Sequence, residues 1–367
     1  MIPAVVTPIA EDTGNSPRAW VDVDLDAIAA NARRVAEVSG ARLLPMVKAN
    51  GYGLGAVPVA RALEALDPWG FGVATVEEGA ELRSAGIGRP VVVFTPVIQA
   101  WMPAMVRHDL RPVIGDVIAL DQWLAAAPGR PFHVGIDTGM ARAGFAHDDH
   151  AALAAARERL AGVTAYEGLA SHFHSADTDA ASMEAQERRL HAVAAALGPR
   201  PPLIHVANSA AALRGPRFAA DLVRPGIYLY GGRAGTELPR PVAALRAVTV
   251  AVRRIAPGAS VSYGATWRAA EPTRLATLAI GYADGVPRSL SNRGQVELGG
   301  ARVPIRGRVT MDMILVEAPD AVRVGDVATI FGGLVTLDEQ AELAGTISYE
   351  LLTSLGNRVR RRYGVSS

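Results

Sequence analysis

Apolar positions along the chain follow two patterns, and the change from one to the other divides it. Behind Asp24, which reads as an N-cap, the segment LDAIAANARRVAEVSG places its apolar residues at helical spacing and stops at Gly40. Short apolar runs then alternate with helical stretches. The runs are LLPMVK (43–48), WGFGVA (69–74), PVVVFTP (90–96), LRPVIGD (110–116), PFHVGID (131–137), TAYEGLASHF (164–173), PLIHVANS (202–209) and LVRPGIYLYG (222–231). Between them lie VPVARALEAL, VEEGAELRSAG, AALAAARERLAG and ASMEAQERRLHAVAAALG. Eight strand-and-helix units over about 200 residues predict a closed parallel barrel rather than an open doubly wound sheet.

Past residue 236 the pattern changes to short strands separated by Gly, Pro and Asp turns: AALRAVTVAVRRI, TRLATLAIGYADG, GQVELGGARVPIRGRV, MILVEAP and VGDVATIFGG. Long helices are absent there until SYELLTSLG near the end, so a second, mostly β domain is expected. The predicted organisation is a flexible N-terminal arm (1–18), a (β/α)8 TIM-type barrel (19–236) and a mostly β C-terminal domain (237–367), with TELPRP (236–241) as the junction.

Composition narrows the chemistry. In 367 residues, 37 Lys and Arg face 36 Asp and Glu, for a formal charge of +1, so no large field draws the protein to nucleic acid or to an anionic membrane. Cysteine is absent, which removes disulfides, thiolate metal sites and cysteine nucleophiles. The start of the chain has no basic segment leading into an apolar core, and no long uncharged apolar run follows. A cytoplasmic location is expected. No spacing suggests a metal site, a Ser-His-Asp order or a Walker loop.

Functional groups in a parallel barrel sit where strands end and βα loops begin. Lys48 ends the first run and enters the glycine-rich ANGYGLG turn. Burial there would depress the amine's pKa and suit it to imine formation with an aldehyde, although a lone lysine also reads as a solvated strand cap. Asp137 and Arg142 follow the fifth run, His172 and His174 close the sixth, Asn208 and Ser209 close the seventh, and Arg224 and Gly226 lie in the eighth. Each alone has a structural explanation: a satisfied barrel histidine, a solvated loop arginine, a helix cap. Together they point to an anion held at the last two loops opposite Lys48, as in a phosphorylated aldehyde. In the β region Tyr263 stands between small residues in SVSYGATW, which leaves room for its phenol to project.

The segments MVKANGYGLG, DTGMARAGF, SHFHSAD, NSAA, RPGIYLYG, VSYGATW, GYADGVPR, GRVTMDM and ISYELLTSLGNRVRR, in this order, closely resemble alanine racemases, pyridoxal-phosphate enzymes with a barrel and a C-terminal β domain. The resemblance implies that Lys48 joins the cofactor as a Schiff base and serves one face of the substrate Cα. Tyr263, donated by the partner subunit of a homodimer, serves the other. It assigns Tyr52, Ser209, Gly226, Ile227 and Tyr349 to the cofactor phosphate, with Asn208 beside them. It sets Arg224 against the pyridine nitrogen with His172 as its hydrogen-bond neighbour. Arg142, Met311 and Asp312 match substrate-binding positions, and Asp177, Tyr282, Arg288, Arg308 and Ile347 match the entrance. No metal is implied.

The implied activity is interconversion of L- and D-alanine, supplying D-alanine for peptidoglycan. Inversion needs one base on each face, and Lys48 with Tyr263 supplies two. An arginine opposite the ring nitrogen keeps its own proton, which weakens the cofactor as an electron sink and suppresses transamination. Two departures stand out. Many members carry a carbamylated lysine that steadies the arginine, where this chain has Gly135, leaving a bound anion or water as one substitute. A histidine of the lysine motif is Leu54 here. A racemase of broader specificity, acting on serine or basic amino acids, is the main alternative. A decarboxylase of the same fold fits less well, since the cysteine and the longer glycine-rich loop are missing. A single-barrel cofactor-binding regulator would lack the second domain that carries Tyr263.

Overall fold

The structure is a computed structural model and describes residues 17–198 and 200–364. Nearly all of the expected arm therefore lies outside the described residues. At its edge Arg18 pairs with Asp284 (2.5 Å) and donates to the Ala279 carbonyl (2.6 Å).

The first described elements are strand β1 (Ala19–Val23) and helix α1 (Leu25–Ser39). Asp24 caps α1 by accepting from Ala27 N, and Gly40 ends it in the left-handed conformation. Parallel strands follow in alternation with helices: β2 (Arg42–Leu43), β3 (Phe71–Val73), β4 (Val91–Val93), β5 (Arg111–Ile114), β6 (Phe132–Asp137), β7 (Phe145–Ala146), β8 (Tyr166–Ala170), β9 (Leu203–His205) and β10 (Leu222–Val223). They lie in the order β2-β10-β9-β8-β6-β5-β4-β3, with the two-residue β7 pairing only with β6. A parallel bridge between Met46 and Gly72 joins the first strand to β3 and closes the barrel. All eight expected barrel runs thus contribute strands, but the last is short. Only Leu222–Val223 is extended, and Ile227–Tyr230 turns into a 3-10 helix after Pro225 and Gly226.

Alternation along the strands sorts side chains into two populations. Phe132, Val134 and Ile136 of β6 join the large core beneath the helices. A separate small cluster, Leu44, Val92, Leu203 and Leu222 with Trp69, Phe94 and Val113 packed against it, fills part of the barrel interior. The rest of that interior is polar, with His133 and His205 fully buried.

Strand β11 (Ala243–Ile255) opens the second domain, a mixed sheet in the order β16-β15-β18-β11-β1-β19 in which β14 also pairs with β11 and with β17. Its remaining strands are β12 (Ser260–Val261), β13 (Trp267–Arg268), β14 (Thr273–Leu278), β15 (Gln295–Leu298), β16 (Ala301–Pro304), β17 (Ile314–Glu317), β18 (Val327–Phe331) and β19 (Arg360–Tyr363). β12 and β13 form a separate hairpin carrying the Tyr263 turn. β1 enters this sheet, antiparallel to β11 and parallel to β19, so both ends of the described chain are stitched into the second domain. A capped helix (Leu337–Ala344), hidden from the sequence reading among turn residues, precedes Ser348–Thr353. Among the described residues no helix is long and apolar enough to cross a membrane.

Candidate active site

Lys48 lies where the first barrel run breaks. Ala49, Asn50, Gly51 and Tyr52 follow with φ of 52°, 53°, 59° and 53°, one turn of left-handed helix. Such a turn costs about 1–2 kcal/mol per non-glycine residue, so surrounding contacts must impose it. Ala49 N donates to Glu78 Oε1 (2.6 Å), and Asn50 Oδ1 accepts from Ala56 N (3.0 Å). The second domain grips the far end, where Arg361 Nε donates to Gly53 O (2.9 Å) and Tyr363 Oη to Leu54 O (3.0 Å). Leu54 itself is fully buried. The result presents Lys48 at the rim and turns Tyr52 inward, stacked on Tyr230 at 4.4 Å.

Lys48 lines a cavity of about 670 Å³ that also receives Tyr52, Arg142, His172, Asn208, Ser209, Arg224, Gly226, Ile227 and Tyr349. Every barrel residue expected to touch the cofactor therefore converges there, together with Tyr349 from the second domain. Burial, reinforced by Arg142 and Arg224, holds the Lys48 ammonium pKa below its usual value and favours the free amine.

Arg224 is buried and almost fully engaged. Nη1 donates to His205 O (2.6 Å) and His205 Nδ1 (2.8 Å), and Nη2 to Ser171 O (2.6 Å) and His172 Nδ1 (3.0 Å). These bonds leave the Nε–H as its donor without an acceptor among the described residues. Burial, then the Arg142 charge, pushes its pKa down to about 9. His172, half-buried beside Arg224, Arg142 and Lys48, is pushed down to about 3 by desolvation and those charges and stays neutral.

At the other end of the cavity Ser209 Oγ accepts from Gly226 N (2.8 Å), and Asn208 caps the short helix Ser209–Ala212 through Ala211 N (3.1 Å). The expected helix-cap role of Asn208 is thus present beside the cavity. A side chain at position 226 would overlap the Tyr52 hydroxyl, so glycine keeps this corner open. Tyr52 and Tyr349 remain protonated, since burial raises both phenols, Tyr349 to about 12.

Arg142 is steadied by backbone. The Asp137 carboxylate accepts from Gly139 N (2.8 Å), Met140 N (2.9 Å) and Arg142 N (3.1 Å), closing the loop on itself. Three glycines bring that loop against the strands: a Cβ at Gly144 would lie 2.8 Å from Asp137 N, one at Gly115 2.8 Å from Gly144 Cα, and one at Gly135 2.9 Å from Val113 Cγ1. The room beside Gly135 is partly taken by Val113.

Apart from Tyr349, the second-domain candidates do not reach this cavity in the single chain. Tyr263 is 73% exposed, and Met311 (51%) and Tyr282 (44%) are also largely open. Tyr282 N and Ala283 N donate to Thr310 O and Met311 O, which gathers these two loops, and Arg308 packs beside Gly264 next to Tyr263. Asp312 pairs with Arg358 (2.9 Å), and the backbone of Arg288 accepts from Ser291 Oγ (2.5 Å). Asp177 and Ile347 line a smaller adjoining cavity of about 260 Å³, which meets the first at Tyr349. No cluster of His, Cys, Asp and Glu suited to a metal occurs among the described residues.

Sequence reading overlooked His133, His205 and Glu167, and the buried Thr138, Ser171 and Gln186 set in which Thr138 Oγ1 meets Ser171 Oγ at 2.8 Å. A polar residue at an inward strand position, such as His133 in PFHVGID, is the signal that marks them.

Residues 23–234 match the family model "Alanine racemase, N-terminal domain" and residues 242–363 match "Alanine racemase, C-terminal domain". The alanine racemase of Symbiobacterium thermophilum is 40% identical over 368 residues, covering 94% of this chain and 97% of the relative. Among solved structures, the alanine racemase of the D-cycloserine producer Streptomyces lavendulae superposes with a TM-score of 0.90 at 34% identity, covering 96% of this chain and 99% of that one. That of Bartonella henselae, with covalently bound pyridoxal phosphate, gives 0.86 at 31% identity, covering 95% of this chain and 100% of the other.

Proposed function

The chain belongs to the alanine racemase family, and on that premise we propose that it interconverts L- and D-alanine with pyridoxal 5'-phosphate as cofactor. The observation that carries the proposal is the convergence on one cavity of Lys48, with its depressed pKa, and a separate polar end built from Ser209, Gly226, Tyr52 and Tyr349. The fit to the cofactor has a second support: the unpartnered Nε–H of the buried Arg224 offers a donor to a pyridine nitrogen. Lys48 would hold the aldehyde carbon, Arg224 the ring nitrogen, and Tyr52, Ser209, Tyr349 and the backbone at Gly226 and Ile227 the phosphate. When bound, the cofactor supplies the π system that makes the substrate Cα proton acidic.

The chain's own residues do the rest. Lys48, its pKa lowered by burial and by Arg142, takes or returns the Cα proton on one face. His172, kept neutral, accepts at Nδ1 from Arg224 and holds that guanidinium in orientation. Arg224 keeps its proton, so it donates a hydrogen bond without transferring charge to its partner. Arg142, fixed by the Asp137 loop, offers a cation to the substrate carboxylate.

Tyr263 is assigned to the opposite face, in the cavity of the partner subunit of a homodimer. Its exposure in one chain, with Tyr282 and Met311 open nearby, supports that assignment. Met311 and Asp312 would join the substrate site and Asp177, Tyr282, Arg288, Arg308 and Ile347 the entrance of that assembly. The D-alanine formed would supply peptidoglycan synthesis in the cytoplasm.

Racemisation assays on alanine, serine, lysine and arginine with pyridoxal phosphate present test the reading. Alanine should be the preferred substrate, and preferential turnover of serine or a basic amino acid would replace it. Lys48→Ala should remove both activity and the visible band of the bound cofactor. Tyr263→Phe should slow both directions and make solvent-isotope wash-in one-sided; symmetric residual exchange would sink the two-base assignment.

A further inference from the structure

Among the described residues Arg224 has no carboxylate in contact, yet its guanidinium is buried beside the cations Arg142 and Lys48. A hydrogen-bonded file leads from it through the barrel. Its Nη1 meets His205 Nδ1 at 2.8 Å, His205 Nε2 meets His133 Nδ1 at 2.7 Å, and His133 Nε2 meets Glu167 Oε2 at 3.2 Å. Glu167, near the start of β8, also pairs with Arg111 at the start of β5 (2.8 Å), so the file ends at the opposite rim from the Lys48 cavity. The two imidazoles are fully buried. Phe94 meets His205 edge-on at 6.0 Å and Trp69 lies 5.7 Å from His133. The seat for His133 is built, because a Cβ at Gly168 would stand 2.6 Å from His133 Nδ1.

We propose that Glu167 is the counter-charge of Arg224, coupled to it through His205 and His133 in single fixed tautomers, and that the three are positioning residues for Arg224. The direction of every bond follows from the two ends. A guanidinium only donates, so His205 Nδ1 accepts and its proton sits on Nε2. That proton points at His133 Nδ1, which therefore accepts, and the His133 proton sits on Nε2 facing a carboxylate that only accepts. Protonating either imidazole a second time would set two N–H groups against each other, so both stay neutral. Burial, and for His205 the nearby Arg224, also lowers both pKa values. Burial opposes the Glu167 charge, but the His133 hydrogen bond and Arg111 outweigh it and keep the carboxyl below its usual pKa.

The aligned N–H groups pass the negative charge toward Arg224 without placing a carboxylate beside the cavity. Arg224 remains charged and oriented, and the cavity face keeps its excess of positive charge for an anionic ligand. The relevance to catalysis rests on the racemase reading above, whereas the tautomers do not.

The test uses the full chain labelled with 15N-histidine, which has 8 histidines to assign, with and without pyridoxal phosphate. Two imidazoles, assigned by His133→Gln and His205→Gln, should show a protonated Nε2 and a bare Nδ1 from about pH 6 to about pH 9, in both forms. Finding either as the Nδ1–H tautomer, or doubly protonated, would overturn the relay. Glu167→Gln keeps an acceptor for His133 but removes the charge, so the tautomers should persist while kcat falls about tenfold with KM nearly unchanged. Glu167→Leu should also release the His133 tautomer, and unchanged imidazole signals and kcat in both variants would refute the coupling. A wild-type protein with the expected tautomers but no alanine racemisation would support the relay while removing the functional reading.

Discussion

At the scale of single residues, one carboxylate decides where Arg142 sits. Asp137 satisfies the backbone N–H groups of Gly139, Met140 and Arg142, and the close packing of Gly144 onto Asp137 sets the loop against β6. Asp137→Asn turns one acceptor oxygen into a donor facing those N–H groups. It should cost about 1–3 kcal/mol of stability and raise the KM for alanine more than it lowers kcat, as denaturant melts and steady-state kinetics would show. Gly135 has no amine to carbamylate, so depleting bicarbonate should leave turnover unchanged. Gly135→Lys should not restore a family-like bridge either, since Val113 Cγ1 already lies 2.9 Å from where a Cβ would stand. Its expected outcome is a lower melting temperature without gain in kcat.

At the scale of elements, the left-handed turn after Lys48 is the local structure on which the cavity depends. Sequence reading placed Lys48 at a strand end and saw a glycine-rich turn; the turn is present, but β2 ends at Leu43 and Lys48 follows an isolated bridge at Met46. It had no access to the handedness, because Asn50, Gly51 and Gly53 tolerate that conformation without requiring it. What requires it is Glu78 of the next βα unit together with Arg361 and Tyr363 of β19. Asn50→Ala removes the bond to Ala56 N and the residue type best suited to positive φ. It should destabilise the protein by about 1–2 kcal/mol and weaken pyridoxal phosphate binding, measured by the visible band on cofactor titration.

At the scale of the whole molecule, three neutral histidines, His133 and His205 buried and His172 half-buried, shape the response to acid. His133, His172 and His205 have folded pKa values below the ordinary one, His172 near 3. In the unfolded chain each titrates near about 6.5, so below that pH the unfolded state binds protons that the folded state does not. Stability is lost as the pH falls, by up to about 1.4 kcal/mol per pH unit for each histidine. The depressed carboxylates Asp137, Glu167 and Asp284 add losses of the same sign only as the pH drops below their ordinary range near about 4. Melting temperature should therefore hold steady above about pH 7.5 and fall from about pH 6.5 downward; a maximum near about pH 5 would contradict it. If Tyr263 serves a partner's cavity, specific activity should also decline on dilution in step with dimer dissociation measured by sedimentation.

The order of short apolar runs and helices determined the barrel, and the change of pattern after residue 236 determined a second, mostly β unit, because period and turn chemistry are local properties. The residues that gather around Lys48 were also legible, since in a parallel barrel the ends of successive strands must share one rim. Three things were decided only by the fold. β1 joins the second sheet because its partners, β11 and β19, lie more than two hundred residues away in the chain. Arg142 is held by a loop whose closeness to β6 depends on backbone contact among Gly115, Gly135 and Gly144, from separate segments. The file from Arg224 to Glu167 exists because β6, β8 and β9 and the residue after β10 point polar side chains into one interior, and no spacing along the chain encodes which imidazole meets which.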